Sequence, residues 1–205
     1  MSNGIWDWKL VGTILFGAYL LFGGILVIEG FTEEGIRLII RWTARFSVSC
    51  FALAFAGSAI HKIIQNSFSF WIFRNRKFFG ISFALLHLTH LAAIVALQIF
   101  FHPVFVNAAT FSLVAGGGAY LFLILMLLTS FERFRALLSF KQWKLLHTVG
   151  GYWIFVVFFS NYFKRVWSGD FSYLPLLSLL IIVLGLRVWK LINSKKENRV
   201  RKTEP

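Results

Sequence analysis

Apolar residues run along this chain in six long blocks, at residues 10–28, 44–64, 78–101, 108–128, 145–163 and 171–192, and most charged residues fall between them. A helix that crosses the hydrocarbon core of a bilayer needs about 20 mostly apolar residues, because it rises about 1.5 Å per residue. The pattern therefore predicts an all-α polytopic membrane protein: a six-transmembrane-helix bundle forming a single domain over residues 1–205. Between the first two blocks, GFTEEGIRLIIRWTAR at 30–45 mixes apolar and charged positions and places Arg37 and Arg41 four apart on one helical face. It is expected to lie as an amphipathic stretch in the membrane interface. The first block follows Trp6, Asp7, Trp8 and Lys9 and has no A-x-A-like cleavage site behind it, so it reads as a retained span.

Charge then orients the bundle. With the N-terminus taken as cytoplasmic, the segments on that side hold sixteen Lys and Arg residues, against five (Arg37, Arg41, Arg45, Lys164 and Arg165) on the other. Short loops rich in Lys and Arg stay in the cytoplasm, so both termini are expected to be cytoplasmic, with 193–205 as a basic tail. The formal net charge of +13 is explained by these flanks, and no nucleic-acid partner is expected; membrane lipid is the partner the charges imply.

Composition narrows the chemistry further. The chain is 58% hydrophobic and 14% charged, which excludes a disordered segment and disfavours a soluble core. Cys50 is the only cysteine, so no internal disulfide, paired-Cys zinc site or C-x-x-C-H haem attachment can form. No G-x-G-x-x-G and no Walker loop is present, and the loops leave no room for a flavin or nicotinamide domain.

Against this background, FALLHLTHLAAIV at 83–95 carries His87 and His90 in the third block, and the fifth block begins with His147. Ionisable residues in the hydrocarbon region are expensive and point to function. Spaced three apart, His87 and His90 project about 60° from one another and about 4.5 Å apart along the axis, so they share a face and cannot clamp one iron from opposite sides. Gly150 and Gly151 follow His147 by three and four residues, and Gly80 opens the third block; each removes a side chain where a macrocycle could lie.

Three chemistries compete for these residues. A haem would take imidazoles from facing helices. Zinc or copper at the H-x-x-H pair would need further ligands, and neither block offers a carboxylate. Proton relay usually adds an intramembrane carboxylate as well. The bland alternative is hydrogen bonding across to Ser47, Ser49 or Thr89. His61 and His102, at block ends, are expected to be interfacial. AGGGAY at 115–120 suits close helix packing in any of these cases.

RNRKFFGISFALLHLTHLAA resembles the third-span motif of the ferric reductase-like transmembrane superfamily, in which a basic pair and a Gly precede a His by ten residues, as Gly80 precedes His90 here. TSFERFRALLSFKQWKLLHTVGGYW is similar to that superfamily's fifth-span entry, with Trp143 ahead of His147, and RWTARFSVSCFALAF to its second span. The resemblance covers about residues 41–163 and is nearest in pattern to small bacterial ferric reductase-like proteins and to the haem-binding membrane subunit of periplasmic methionine sulfoxide reductase systems.

That resemblance implies a membrane b-type cytochrome in the bacterial inner membrane. It would carry one or two haem b groups and relay electrons from a cytoplasmic flavin reductase partner or a quinol to an acceptor such as a periplasmic oxidoreductase. His147 would be the inner ligand of the fifth span and His90 the outer ligand of the third, with His87 as the alternative closer in depth to His147. Ser160 and Arg76 stand where the family's other two histidines are expected, and Arg76 would instead meet a haem propionate. A histidine not used for ligation would serve a propionate or a quinone. Arg74, Arg76, Lys77, Arg133, Arg135 and Lys144 would form the donor face, binding propionates or an acidic partner, or serve only as positive-inside anchors, the reading topology favours. A haem-free subunit or assembly factor on the same fold is the alternative, and a metal or proton transporter a weaker one.

Overall fold

A computed structural model of the chain describes residues 4–102 and 110–203, with side chains described over 8–102 and 114–194. The secondary structure of these residues is wholly helical: α1 (Gly4–Glu29), α2 (Glu33–Ile64), α3 (Ser67–Phe101), α4 (Thr110–Leu128), the single turn α5 (Glu132–Arg135), α6 (Phe140–Trp167), a 3-10 turn (Phe171–Tyr173) and α7 (Leu174–Thr203). The all-α expectation holds. Among the described residues four helices, α1, α2, α3 and α7, are long and apolar enough to cross a membrane. Large apolar side chains such as Phe16, Leu20, Val27 and Ile182 stand outward and exposed, the surface of an integral membrane protein. In α4 the described apolar run is shorter, 114–128, and residues 108–109 of the expected block lie outside the described residues.

Helix ends depart from the apolar blocks, and capping explains why. Residues 33–45, expected to lie in the interface, are the first turns of α2, continuous with the span. Thr32 caps this helix by accepting from Gly35 N at 3.1 Å, and Glu33 and Glu34 face the positive end of the helix dipole. Arg37 pairs with Glu33 at 2.6 Å and Arg41 with Glu34 at 3.3 Å, while Ile36 and Ile39 on the opposite side are buried against the protein. The segment is amphipathic, as its pattern indicates, but its apolar face packs on neighbouring helices. Only glycine fits at 35, where a Cβ would stand 2.6 Å from Gly30 O.

The same logic extends α3 back to Ser67. Gln65, left-handed at φ 46°, ends α2 by donating its N–H to His61 O at 3.2 Å. Asn66 then opens α3 with a capping box: its side chain accepts from Ser69 N at 2.8 Å and its own N–H donates to Ser69 Oγ at 3.1 Å. Two residues thus reverse the chain between a 32-residue and a 35-residue helix, whose mutual interface is the most extensive in the molecule. At the other terminus α7 continues as helix to Thr203, so the expected tail prolongs α7; its side chains from 195 on lie outside the described residues.

α1 packs on α2 and α3, α7 packs on α2, and α4 pairs with α6. Small residues bring that last pair together: a Cβ at Gly150 would lie 2.7 Å from Met126 Sδ, and one at Gly118 would lie 3.1 Å from Trp153 Nε1. Trp8 of α1 meets Phe78 and Phe131 at 5.6 and 6.0 Å between centroids, and Lys62 Nζ donates to Ser194 Oγ at 3.3 Å. Trp8 and Ser194 therefore both lie at the end of the bundle that carries the α2–α3 turn. Replacing Asn66 by Ala removes one capping acceptor and is expected to cost about 1 kcal/mol, read as a lowered Tm in detergent with unchanged helical circular dichroism.

Candidate functional site

Between the α2–α3 hairpin and the α4–α6 pair lie two cavities, one nearer the α2–α3 turn and one nearer the opposite end. The lower cavity, at the turn end, has a volume of about 600 Å³. Its walls are largely apolar, with Phe51, Phe55 and Phe83 on one side and Leu123, Met126 and Leu127 on the other. Five cations line it, Arg76 and Lys77 of α3, Arg135 of α5, Lys144 of α6 and Arg187 of α7, against one carboxylate, Glu132, which pairs with Arg135 at 3.5 Å. Gly80 leaves the α3 wall bare, since the nearest atom to a Cβ built there is Ala54 Cβ at 3.9 Å.

His147 lines this lower cavity and stacks on Trp143 with ring centroids 4.5 Å apart. Its Nε2 lies 3.1 Å from Thr129 Oγ1, and that hydroxyl donates its own proton to Leu125 O at 2.7 Å. With the hydroxyl proton committed, Nε2–H is the donor, and the lone pair of His147 is on Nδ1. Thr129 O in turn accepts from Trp143 Nε1 at 3.2 Å, so threonine, tryptophan and histidine hold one another at the mouth of α6.

The upper cavity, of about 290 Å³, is lined by His87, His90, Tyr120, Tyr162, Arg41 and Arg165 among others. His90 Nδ1 is 3.0 Å from Ile40 O and 3.0 Å from Thr43 Oγ1. A carbonyl oxygen can only accept, so Nδ1 carries the proton and Nε2 the lone pair. His87 Nδ1 lies 3.1 Å from Ser47 Oγ, whose hydroxyl proton goes to Ala44 O at 3.0 Å, which fixes the same tautomer. The two imidazoles stack nearly parallel, 12° between planes and 5.1 Å between centroids, and Tyr120 lies against His87 at 5.0 Å. A basic Nε2 with its Nδ1–H held by backbone or hydroxyl is the usual preparation of a ligating histidine.

His87 and His90 thus come together, and His147 lines a different cavity; Phe83 and Leu123 line both and separate the two. Among the described residues no group of three or more His, Cys, Asp or Glu converges. Arg76 and Gly151 line the lower cavity, whereas Gly150 faces Met126 and Phe122 of α4. Ser160 returns its hydroxyl to Val157 O at 3.1 Å. Of the expected hydroxyl partners Ser47 meets His87, while Thr89 meets Tyr19 at 2.8 Å and Ser49 meets Arg45 O at 2.9 Å. His61 bonds Ser69 at 3.1 Å, and His102 ends α3 at the surface.

Sequence reasoning missed Arg187, which counted there only as one of the flanking cations. Its signal was available: an arginine inside the apolar block 171–192. Tyr120, Tyr162 and Arg165 carried no signal of their own, because only the packing of α4 and α6 turns them toward His87 and His90. No family model, curated protein or solved structure matches this chain.

Nitrogen-15 spectra of histidine-labelled, ligand-free protein in detergent, at a pH where the rings are neutral, are expected to give Nδ1–H tautomers for His87 and His90 and an Nε2–H tautomer for His147. Thr129→Val should shift only the last.

Proposed function

We propose that this protein is a membrane-embedded b-type cytochrome of the ferric reductase-like kind, relaying electrons from a cytoplasmic flavin partner or quinol to an acceptor across a bacterial inner membrane. In this reading all six long helices cross the bilayer, with both termini cytoplasmic. α6 joins them because it carries no Asp, Glu, Lys or Arg between Lys144 and Lys164. The observation that carries the reading is the lower cavity: an apolar slot with an imidazole on its wall and an excess of cations fits an apolar macrocycle bearing carboxylates.

Haem, when bound, supplies one-electron redox chemistry. The chain's own residues do the rest. His147 would hold the group through an imidazole nitrogen: its lone pair is on Nδ1, and binding through Nε2 would require the Nε2 proton to move to Nδ1 and the bond to Thr129 to be given up, Thr129 keeping Leu125 O as its acceptor. Arg76 and Lys77 would meet the group's carboxylates from α3, while Phe51, Phe55, Phe83 and Leu123 exclude water and keep the local dielectric low. In the upper cavity His87 and His90, whose lone pairs are on Nε2, would hold a second haem or hydrogen-bond a quinone. The exposed Arg74 and Arg133 complete a basic face for an acidic donor.

One observation favours a haem-free subunit on the same scaffold: each cavity takes imidazoles from a single helix, His147 from α6 below and His87 and His90 from α3 above. The two readings part in one measurement. Protein purified in detergent is expected to show a reduced-minus-oxidised spectrum and a pyridine haemochrome with stoichiometric b-haem; its absence selects the haem-free subunit. His147→Ala is expected to lose most of the haem of the lower cavity, and full haem with an unchanged spectrum would reject that site.

A further inference from the structure

We infer that Arg187 is the anion anchor of the lower cavity, and that the ligand this cavity selects is a flat apolar molecule bearing carboxylates. The inference deepens the cytochrome reading and takes the size of the ligand from it, but the acid recognition stands on residues of this chain alone.

Arg187 sits in the apolar run of α7, in a segment long enough to span a membrane. A guanidinium there is costly and calls for partners. It has them, and all are neutral. Nη1 donates to Phe55 O at 2.6 Å, Nε donates to Tyr152 OH at 3.4 Å, and the guanidinium lies over the Phe55 ring at 3.9 Å from its centroid. Three helices, α2, α6 and α7, therefore fix its position. Among the described residues none of its partners carries a negative charge: Glu33, Glu34 and Glu132 pair with Arg37, Arg41 and Arg135.

A guanidinium has five N–H donors in a planar fork. Two are spent on Phe55 and Tyr152, which leaves three on a group that lines the cavity. Such a fork takes a carboxylate through two parallel hydrogen bonds, which an ammonium cannot reproduce. The other cations differ in kind. Arg76, Lys77, Arg135 and Lys144 are exposed, so solvent and salt screen them, while Arg187 is half-buried and immobilised. Selection between an acid and its neutral ester falls to the one cation that cannot move away and is poorly screened.

Metal-free protoporphyrin IX and its dimethyl ester separate acid recognition from iron ligation, since both have the same flat body and neither has iron. Titrated by porphyrin fluorescence against the full chain in detergent, produced without haem or depleted of it, the diacid is expected to bind about 10 to 100 times more tightly than the ester. Arg187→Gln should erase most of that preference, Arg187→Lys should leave an intermediate one, and Arg135→Gln, at the solvated mouth, should change it less than about 3-fold. Equal binding of diacid and ester by the wild-type chain, or an unchanged preference in the Gln variant, overturns the inference. Should the Gln variant aggregate, the Lys variant decides alone, and an unchanged preference there has the same force. An Arg187-dependent preference in protein that purifies without b-haem keeps the acid site and defeats the cytochrome reading. Failure of both porphyrins to bind the haem-free chain overturns the inference, while the cytochrome reading stands or falls on the pyridine haemochrome.

Discussion

Hydroxyl groups already committed to their own helices decide which nitrogen of each interior imidazole carries its proton, and the polar interior is organised around that constraint. Thr43, Ser47 and Thr129 are buried, and each donates backward to a carbonyl three or four residues earlier. Such back-bonding removes the hydroxyl proton from play and leaves only lone pairs for a neighbour. An imidazole packed against it must then donate. In an interior where an unpaired polar atom costs of order 1–3 kcal/mol, this is a strong condition. It gives His87 and His90 one tautomer and His147 the other, from three similar contacts.

The spacing of the helices follows a different rule. α4 and α6 approach closely because Gly118 and Gly150 carry no side chain at their crossing, and α2 and α3 are drawn together along their length by their tight turn. The two pairs are each dense, and between them the large side chains Phe83, Leu123 and Phe158 bridge a gap they do not fill. The cavities are what remains. Small residues thus have opposite effects by position: at 150 a missing side chain closes an interface, and at 80 it opens a wall.

Much of this was legible in the chain. Blocks of about 20 apolar residues marked the six long helices, and two histidines three apart had to share a face. The ends of α2 and α3 were not legible from hydropathy, because Thr32 and Asn66 start each helix by capping chemistry well before the apolar block begins. The pairing of His87 with Ser47 was among the expected contacts, whereas His90 with Thr43 depended on the register of α2 against α3, which no single helix encodes. The separation of His147 from the other two was also hidden. Depth along one helix can be counted from sequence; depth relative to another helix depends on tilt and packing.

The two-residue turn at Gln65 and Asn66 has a dynamic consequence. A connection this short, with both residues fixed by hydrogen bonds to the helices they join, has no slack to absorb relative motion. α2 and α3 must therefore travel as one rigid lever. The connection of α4 to α6 through Ser130, α5 and Ser139 is longer and largely exposed, so that pair is less tightly tethered than the hairpin.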